Sequence, residues 1–184
     1  NNLYNENSRI EPQSPYGVAK AAGYYYTKIY RENYNLFACS GILFNHESPL
    51  RSEEFVTKKI IDVSKTINKN NKINLKLGSI DIYRDWGWAP EYVEAMWLML
   101  QQKKPIDLVL GTGKQYSIRD FVNEVFKLKD ISIKRLKANQ NNLKRKTDIK
   151  AYRANVKLAK KTINWTAKVN FNQIVKKMLN NELF

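Results

Sequence analysis

From residue 15 to about residue 33, apolar positions Val18, Ala22, Tyr25, Tyr26, Ile29 and Tyr30 recur at intervals of three and four. That spacing predicts an amphipathic helix, and Pro15 suits its first turn, where proline's missing N–H has no intrahelical partner to lose. The run Tyr24-Tyr25-Tyr26 reads as core and partner-helix packing rather than as a binding platform. The period then changes. Phe37 to Phe44 is apolar apart from small residues, the pattern of a buried strand, and it delivers Asn45, His46 and Glu47 at its carboxyl end, where open α/β sheets bind ligands. A second helix opens at Ser52-Glu53-Glu54-Phe55 with a hydroxyl cap and early acids, its buried face formed by Val56, Ile60, Ile61 and Val63. A polar turn at 68–72, a strand from Ile73 to Leu77 stopped by Gly78, and a helix opening at Ala89-Pro90-Glu91 follow, the helix facing inward with Val93, Met96, Trp97 and Leu100. Ile106 to Leu110 reads as strand, Ser117 to Leu128 as a helix capped by Ser117, and Ile131 to Leu136 as strand. Residues 137–151 read as a mobile, basic connection, and two short helices near 155–163 and 171–181 end the chain. Strands interspersed with helices indicate an α/β chain.

Composition narrows the class. The length, 184 residues, suits one domain. The longest apolar run, Ala95 to Leu100, is far short of the roughly 20 residues of a membrane span. Asn1 to Asn7 is polar and acidic where a signal peptide needs a basic start and an apolar core, so the expected location is cytoplasmic. Cys39 is the single cysteine, which rules out an intrachain disulfide; within an apolar segment it reads as buried filler. The net charge of +15 raises a nucleic-acid-binding alternative, because residues 134–161 hold eleven Lys or Arg against one acid, Asp148. Only Tyr152 is aromatic there, so the stacking platforms of such proteins are missing. No nucleic-acid motif appears, and 24 of the 32 basic residues are lysine, a bias that reads as solvated surface. Salt-sensitive binding to duplex DNA separates the two readings.

Candidate chemistry begins at Ser14-Pro15-Tyr16-Gly17-Val18-Ala19-Lys20. Four residues apart on a helix, Tyr16 and Lys20 share a face, and an ammonium beside a phenol favours the phenolate, which can take a proton from a sugar hydroxyl. A packed tyrosine beside a solvated lysine is the structural alternative. His46 is the single histidine, with no metal-ligand cluster around it; it reads as a residue that orients its own loop, against a proton-transfer role. Arg84-Asp85 is either a ligand-binding arginine or an internal brace.

The flanks decide between these. Ser14 to Gly23 resembles the active-site helix of the extended short-chain dehydrogenases/reductases. Gly41-Ile42-Leu43-Phe44-Asn45-His46-Glu47-Ser48-Pro49, Phe55 to Ile60, Arg84-Asp85-Trp86-Gly87, Glu91-Tyr92-Val93 and Trp97 to Gln102 resemble, in order and spacing, the GDP-mannose 4,6-dehydratases within that family. The likeness is dense from Glu11 to Phe126 and thinner afterwards, where Ile163-Asn164-Trp165 is similar to a late Leu-Gly-Trp.

The resemblance implies an incomplete Rossmann sheet with a small α/β substrate-binding domain: residues 1–50 as the trailing part of an NADP-binding domain, 51–184 mainly as the nucleotide-sugar region. Gly111-Thr112-Gly113 is the sole Gly-x-Gly and lacks the third glycine of a dinucleotide turn. The expectation is therefore the C-terminal part of a dehydratase, lacking the NADP-seating half and inactive alone, with a homo-oligomeric whole enzyme. Implied roles are catalysis for Tyr16 and Lys20, cofactor contact for these two with Leu43 and His46, and GDP-mannose contact for Asn45, Arg51, Lys59, Arg84, Arg145 and Asp148. Leu50 stands where the family has the first arginine of Ser-Pro-Arg-Arg, and Arg145-Lys146-Thr147-Asp148 is an imperfect match to Arg-Pro-x-Glu. Another nucleotide-sugar dehydratase or epimerase is the alternative within enzymes.

Overall fold

The computed structural model describes residues 3–67, 73–75, 77–132, 136–138 and 150–183. Among them six helices, α1 (Pro15–Tyr34), α2 (Val56–Thr66), α3 (Ala89–Leu100), α4 (Ile118–Leu128), α5 (Lys157–Ile163) and α6 (Phe171–Asn180), alternate with short strands. The strands are β1 (Leu3–Tyr4), β2 (Gly41–Leu43), β3 (Asn45–Glu47), β4 (Ile73–Leu75), β5 (Tyr83–Arg84), β6 (Trp86–Trp88), β7 (Leu108–Leu110), β8 (Tyr116–Ser117), β9 (Leu136–Ala138) and β10 (Arg153–Ala154). They pair as two-stranded ladders: β1 with β10, β2 with β7, β3 with β6 and β4 with β9 in parallel, β5 with β8 antiparallel. The parallel pairs join strands far apart in sequence, as an α/β chain requires.

Two apolar clusters form the interior. The larger is built where α2 packs on α4 and α4 on α6, with Ile60, Ile61, Phe121, Val125, Ile174 and Met178 buried beneath Trp86. Trp86, Phe121 and Phe171 meet ring to ring at centroid distances of 5.5 to 6.1 Å. Both α4 and α6 start with reciprocal capping boxes, Ser117 with Asp120 and Asn170 with Gln173, so their orphan N-terminal amides are satisfied locally. The smaller cluster joins Tyr92, Ala95 and Met99 of α3 to Leu108 and Leu110 of β7, Ala159 and Ile163 of α5, and Trp165. Asn164 ends α5 in the left-handed region at φ 50°, a conformation that glycine favours and asparagine tolerates. Trp165 Nε1 then donates to the Glu91 carbonyl at 3.0 Å, fastening the chain to the start of α3.

Several sequence expectations are corrected. The Phe37–Phe44 segment is strand only from Gly41, and Leu36 and Phe37 are exposed. Asn45, His46 and Glu47 do not trail a strand end but form a strand themselves against β6. Ser52 is not a cap: it makes a turn, Phe55 N–H to Ser52 carbonyl at 3.1 Å, and α2 starts at Val56 without a side-chain cap. Its buried residues are Thr57, Ile60, Ile61 and Ser64, with Val56 and Val63 half-buried beside them. On α3 the expected inward face, Val93, Met96, Trp97 and Leu100, is exposed, and Tyr92, Ala95 and Met99 point inward instead. No residue of α1 is buried, so its tyrosines form no core among the described residues. Ile131 and Ser132 lie outside any strand, and the described strand begins at Leu136. The turn expected at 68–72 and most of the connection expected at 137–151 lie outside the described residues.

The attachment of α1 is polar. Arg31 grips Asp107 with two hydrogen bonds of 2.8 and 2.9 Å and donates to the Ala38 carbonyl, while Asp107 also accepts from the Ser40 amide. Burial alone would raise the Asp107 carboxyl, but these donors outweigh it and hold it below the usual carboxylate range.

Candidate functional site

The first group of site residues is set by the start of α1. Ser14, in extended backbone, accepts a hydrogen bond from the Gly17 amide at 3.1 Å, and Pro15 fills N1. Tyr16 and Lys20 therefore fall on successive turns, and Lys20 Nζ lies 5.5 Å from the centre of the Tyr16 ring. Tyr16 is 73% exposed, so its phenol is open to a ligand.

A second group is assembled by Asp85. Its buried carboxylate accepts from the Thr112 amide, the Thr112 hydroxyl, the Gly113 amide and the Ala154 amide at 2.6 to 3.0 Å. Burial raises the Asp85 carboxyl, while these hydrogen bonds oppose that rise. The Tyr83 amide donates to the Lys150 carbonyl at 2.8 Å, so residues 150–154 are stitched along β5. The consequence is local. Tyr152 is held beside Arg84, whose guanidinium lies 4.8 Å from the Tyr152 ring centre, and the Tyr152 hydroxyl donates to Asn45 Oδ1 at 2.9 Å. Two expected substrate residues, Asn45 and Arg84, are thus brought to one side chain. The Gly111-Thr112-Gly113 turn is likewise accounted for, since the Thr112 and Gly113 amides, the donors a phosphate cradle would need, are spent on Asp85.

A third group surrounds Glu47, the last residue of β3 and 1% exposed. Its Oε2 accepts from the Thr57 hydroxyl at 2.7 Å and lies 3.4 Å from Arg51 Nε, an ion pair without hydrogen-bond geometry. Burial pushes its carboxyl up to about 7, against the opposing pull of Arg51 and Thr57. Arg51 also stacks on Phe55 at 3.7 Å and reaches the His46 carbonyl at 3.4 Å. His46 Nδ1 lies 2.9 Å from the Phe44 carbonyl, which makes Nδ1 the protonated nitrogen, and its ring packs 5.1 Å from that of Tyr92. The Tyr92 hydroxyl is buried without a hydrogen-bond partner among the described residues, and burial raises it far above an ordinary phenol.

The remaining expected residues stand apart. Lys59 is exposed on α2, and Leu43 is half-buried against the α3 cluster. Arg145 and Asp148 lie outside the described residues. Among the described residues no group of His, Cys, Asp or Glu could hold a metal ion, and no helix is long and apolar enough to cross a membrane. Sequence reasoning missed Tyr152 and Glu47. Tyr152 and Asn45 are 107 residues apart, and nothing in either segment signals the other; an acid at the end of an apolar strand was the available hint for Glu47.

The family model described as GDP-mannose 4,6 dehydratase matches residues 1–178. The chain belongs to the GDP-mannose 4,6-dehydratase family. It is 41% identical to GDP-mannose 4,6 dehydratase 1 of Arabidopsis thaliana over 178 residues, 97% of this chain and 49% of that one. With the GDP-mannose 4,6 dehydratase of Dictyostelium discoideum it shares 44% identity over 191 residues, 95% of this chain and 54% of that one. The chain thus spans about half the length of these curated relatives. Among solved structures it is similar to dTDP-glucose 4,6-dehydratase from Bacillus anthracis, with a TM-score of 0.84 at 17% identity, covering 97% of this chain and 55% of that one. The fold is that of part of an extended short-chain dehydrogenase/reductase.

Proposed function

We propose that the protein carrying these residues is an NADP-dependent GDP-mannose 4,6-dehydratase, converting GDP-mannose to GDP-4-dehydro-6-deoxy-mannose. The observation that carries this reading is the open Tyr16 phenol with the Lys20 ammonium over its ring at a capped helix start. A phenol and an ammonium together suit the ribose end of a nicotinamide dinucleotide, and Leu43 and His46 are assigned to the same cofactor. Bound there, NADP would supply hydride chemistry, accepting hydride from C4 of the sugar and giving it back at C6 once water is lost across C5 and C6. In that sequence Tyr16 removes the C4 hydroxyl proton, and Lys20 keeps a positive charge beside it as the phenolate forms. Arg84 and Lys59 take the diphosphate, the former with two donors and the latter as a point charge. Asn45 holds a sugar hydroxyl, and Arg51, Arg145 and Asp148 complete the nucleotide contacts. Residues 1–50 are assigned to the cofactor domain and 51–184 mainly to the substrate region. The assembled enzyme is read as a cytoplasmic homo-oligomer.

Tyr16→Phe in the full-length protein tests the reading. Turnover of GDP-mannose is expected to vanish while GDP binding persists, and appreciable residual turnover refutes the role of Tyr16. Competition between GDP-mannose and dTDP-glucose decides the substrate, with preference for the latter moving the protein to another nucleotide-sugar dehydratase. Turnover rates with NADP and NAD compared side by side decide the cofactor.

A further inference from the structure

We infer that Tyr152 is a positioning residue that fixes the relative placement of an amide and a guanidinium for a nucleotide-sugar ligand; this rests on the function proposed above. Its hydroxyl donates to Asn45 Oδ1 at 2.9 Å. That contact commits the carbonyl end of the Asn45 amide, so the Nδ2 group, which has no partner among the described residues, is the end that presents donors. The ring carries the Arg84 guanidinium at 4.8 Å and is itself backed by Phe44 at a centroid distance of 5.4 Å. Tyr152 is in turn held by backbone: Lys150 through the Tyr83 amide, and Ala154 through the Asp85 carboxylate. One side chain therefore spans β3, β5 and the segment before β10, sets the direction of an amide donor and, together with the Tyr83 carbonyl that accepts from Arg84 Nη1 at 2.8 Å, helps set the site of a cation. A sugar hydroxyl and a phosphate of the same ligand require that fixed spacing, because bound geometry, and not added contact area, sets how well two remote groups are gripped together.

Steady-state kinetics of the full-length protein with GDP-mannose provide the test. Tyr152→Phe keeps the ring and removes the hydroxyl; KM is expected to rise about threefold to tenfold, the range of one hydrogen bond, with kcat within twofold and the thermal midpoint unmoved. Tyr152→Leu removes the support of Arg84 as well, and KM is expected to rise further. In an Asn45→Ala background Tyr152→Phe is expected to add nothing, since its effect passes through Asn45. An unchanged KM, or an equal effect with and without Asn45, overturns the inference; so does a fall in kcat accompanied by a lowered thermal midpoint, which marks a merely structural role. If the wild-type protein handles no GDP-mannose, the proposed function fails separately. The side-chain amide resonances of Asn45 then still decide the positioning: they are expected to shift in Tyr152→Phe, and their indifference overturns it.

Discussion

Two helical regions of this chain both carry apolar positions at helical spacing, more sharply segregated in one than in the other, and meet opposite fates. The α2, α4 and α6 helices bury their apolar faces in one another, down to Phe121, Val125 and Ile174 at 0% exposure. The longest helix, α1, buries nothing, and Tyr26 and Ile29 on it remain 63% and 47% exposed. Periodicity therefore specifies a face but not what covers it. The bundle closes on itself because α4 packs against α2 on one side and α6 on the other. Helix α1 is held at its last turn by Arg31 on Asp107, a polar fastening in place of an apolar one.

Truncation experiments on the two faces give the largest contrast. Phe121 touches both Trp86 and Phe171, so Phe121→Ala is expected to lower stability by about 3 to 5 kcal/mol. In these 184 residues Tyr26→Ala is expected to change it by less than about 0.5 kcal/mol. Urea unfolding of the two variants checks this, and a loss at Tyr26 rivalling that at Phe121 breaks the comparison.

The bundle buries even a carboxyl, whereas α1 leaves isoleucine in water. Glu47, at the end of β3 and bonded to Thr57 of α2, has its carboxyl raised from 4.5 to about 7, chiefly by burial. The folded state thus holds the proton more tightly than the unfolded chain, so this group's contribution is fully present below pH 4.5 and is lost as pH rises through about 7. The swing is of order 3 kcal/mol. Glu47→Gln is expected to remove it, so the difference in urea midpoint between wild type and variant should grow from pH 4.5 to pH 8, in favour of the variant. A constant difference refutes the trapped carboxyl.

Much of the local chemistry was readable from the chain. The caps at Ser117 and the start of α1 at Pro15 were legible because capping depends on a few adjacent residues. The orientation of α3 was not, since Tyr92-Val93-Glu94-Ala95-Met96-Trp97-Leu98-Met99-Leu100 is apolar almost all round and offers no single stripe. The choice was made by fit: Gly87 leaves room for the Tyr92 ring, which a Cβ at that position would strike, and small Ala95 sits fully buried in the cluster with β7 and α5. Strands of two residues, such as β5 and β10, are too short to show a period. For the candidate site, the shared face of Tyr16 and Lys20 was legible, whereas the Asn45, Tyr152 and Arg84 cluster arises from backbone stitching by Asp85, a tertiary event without a local signal.

The fastening of α1 gives the most local effect and the most direct test of what distinguishes the two regions. Arg31→Ala deletes three hydrogen bonds and leaves Asp107, which is largely buried, with the Ser40 amide as its partner. Hydrogen bonds to charged groups contribute about 1.5 to 3 kcal/mol, and the loss should fall on α1 alone, because no apolar burial links that helix to the bundle. Amide hydrogen exchange is expected to quicken across Pro15–Tyr34 while the amides of α4 and α6 keep their protection. Equal acceleration in α4 would mean that α1 and the bundle unfold as one cooperative unit, and the contrast between a helix held by charge and helices held by packing would then be one of architecture and not of stability.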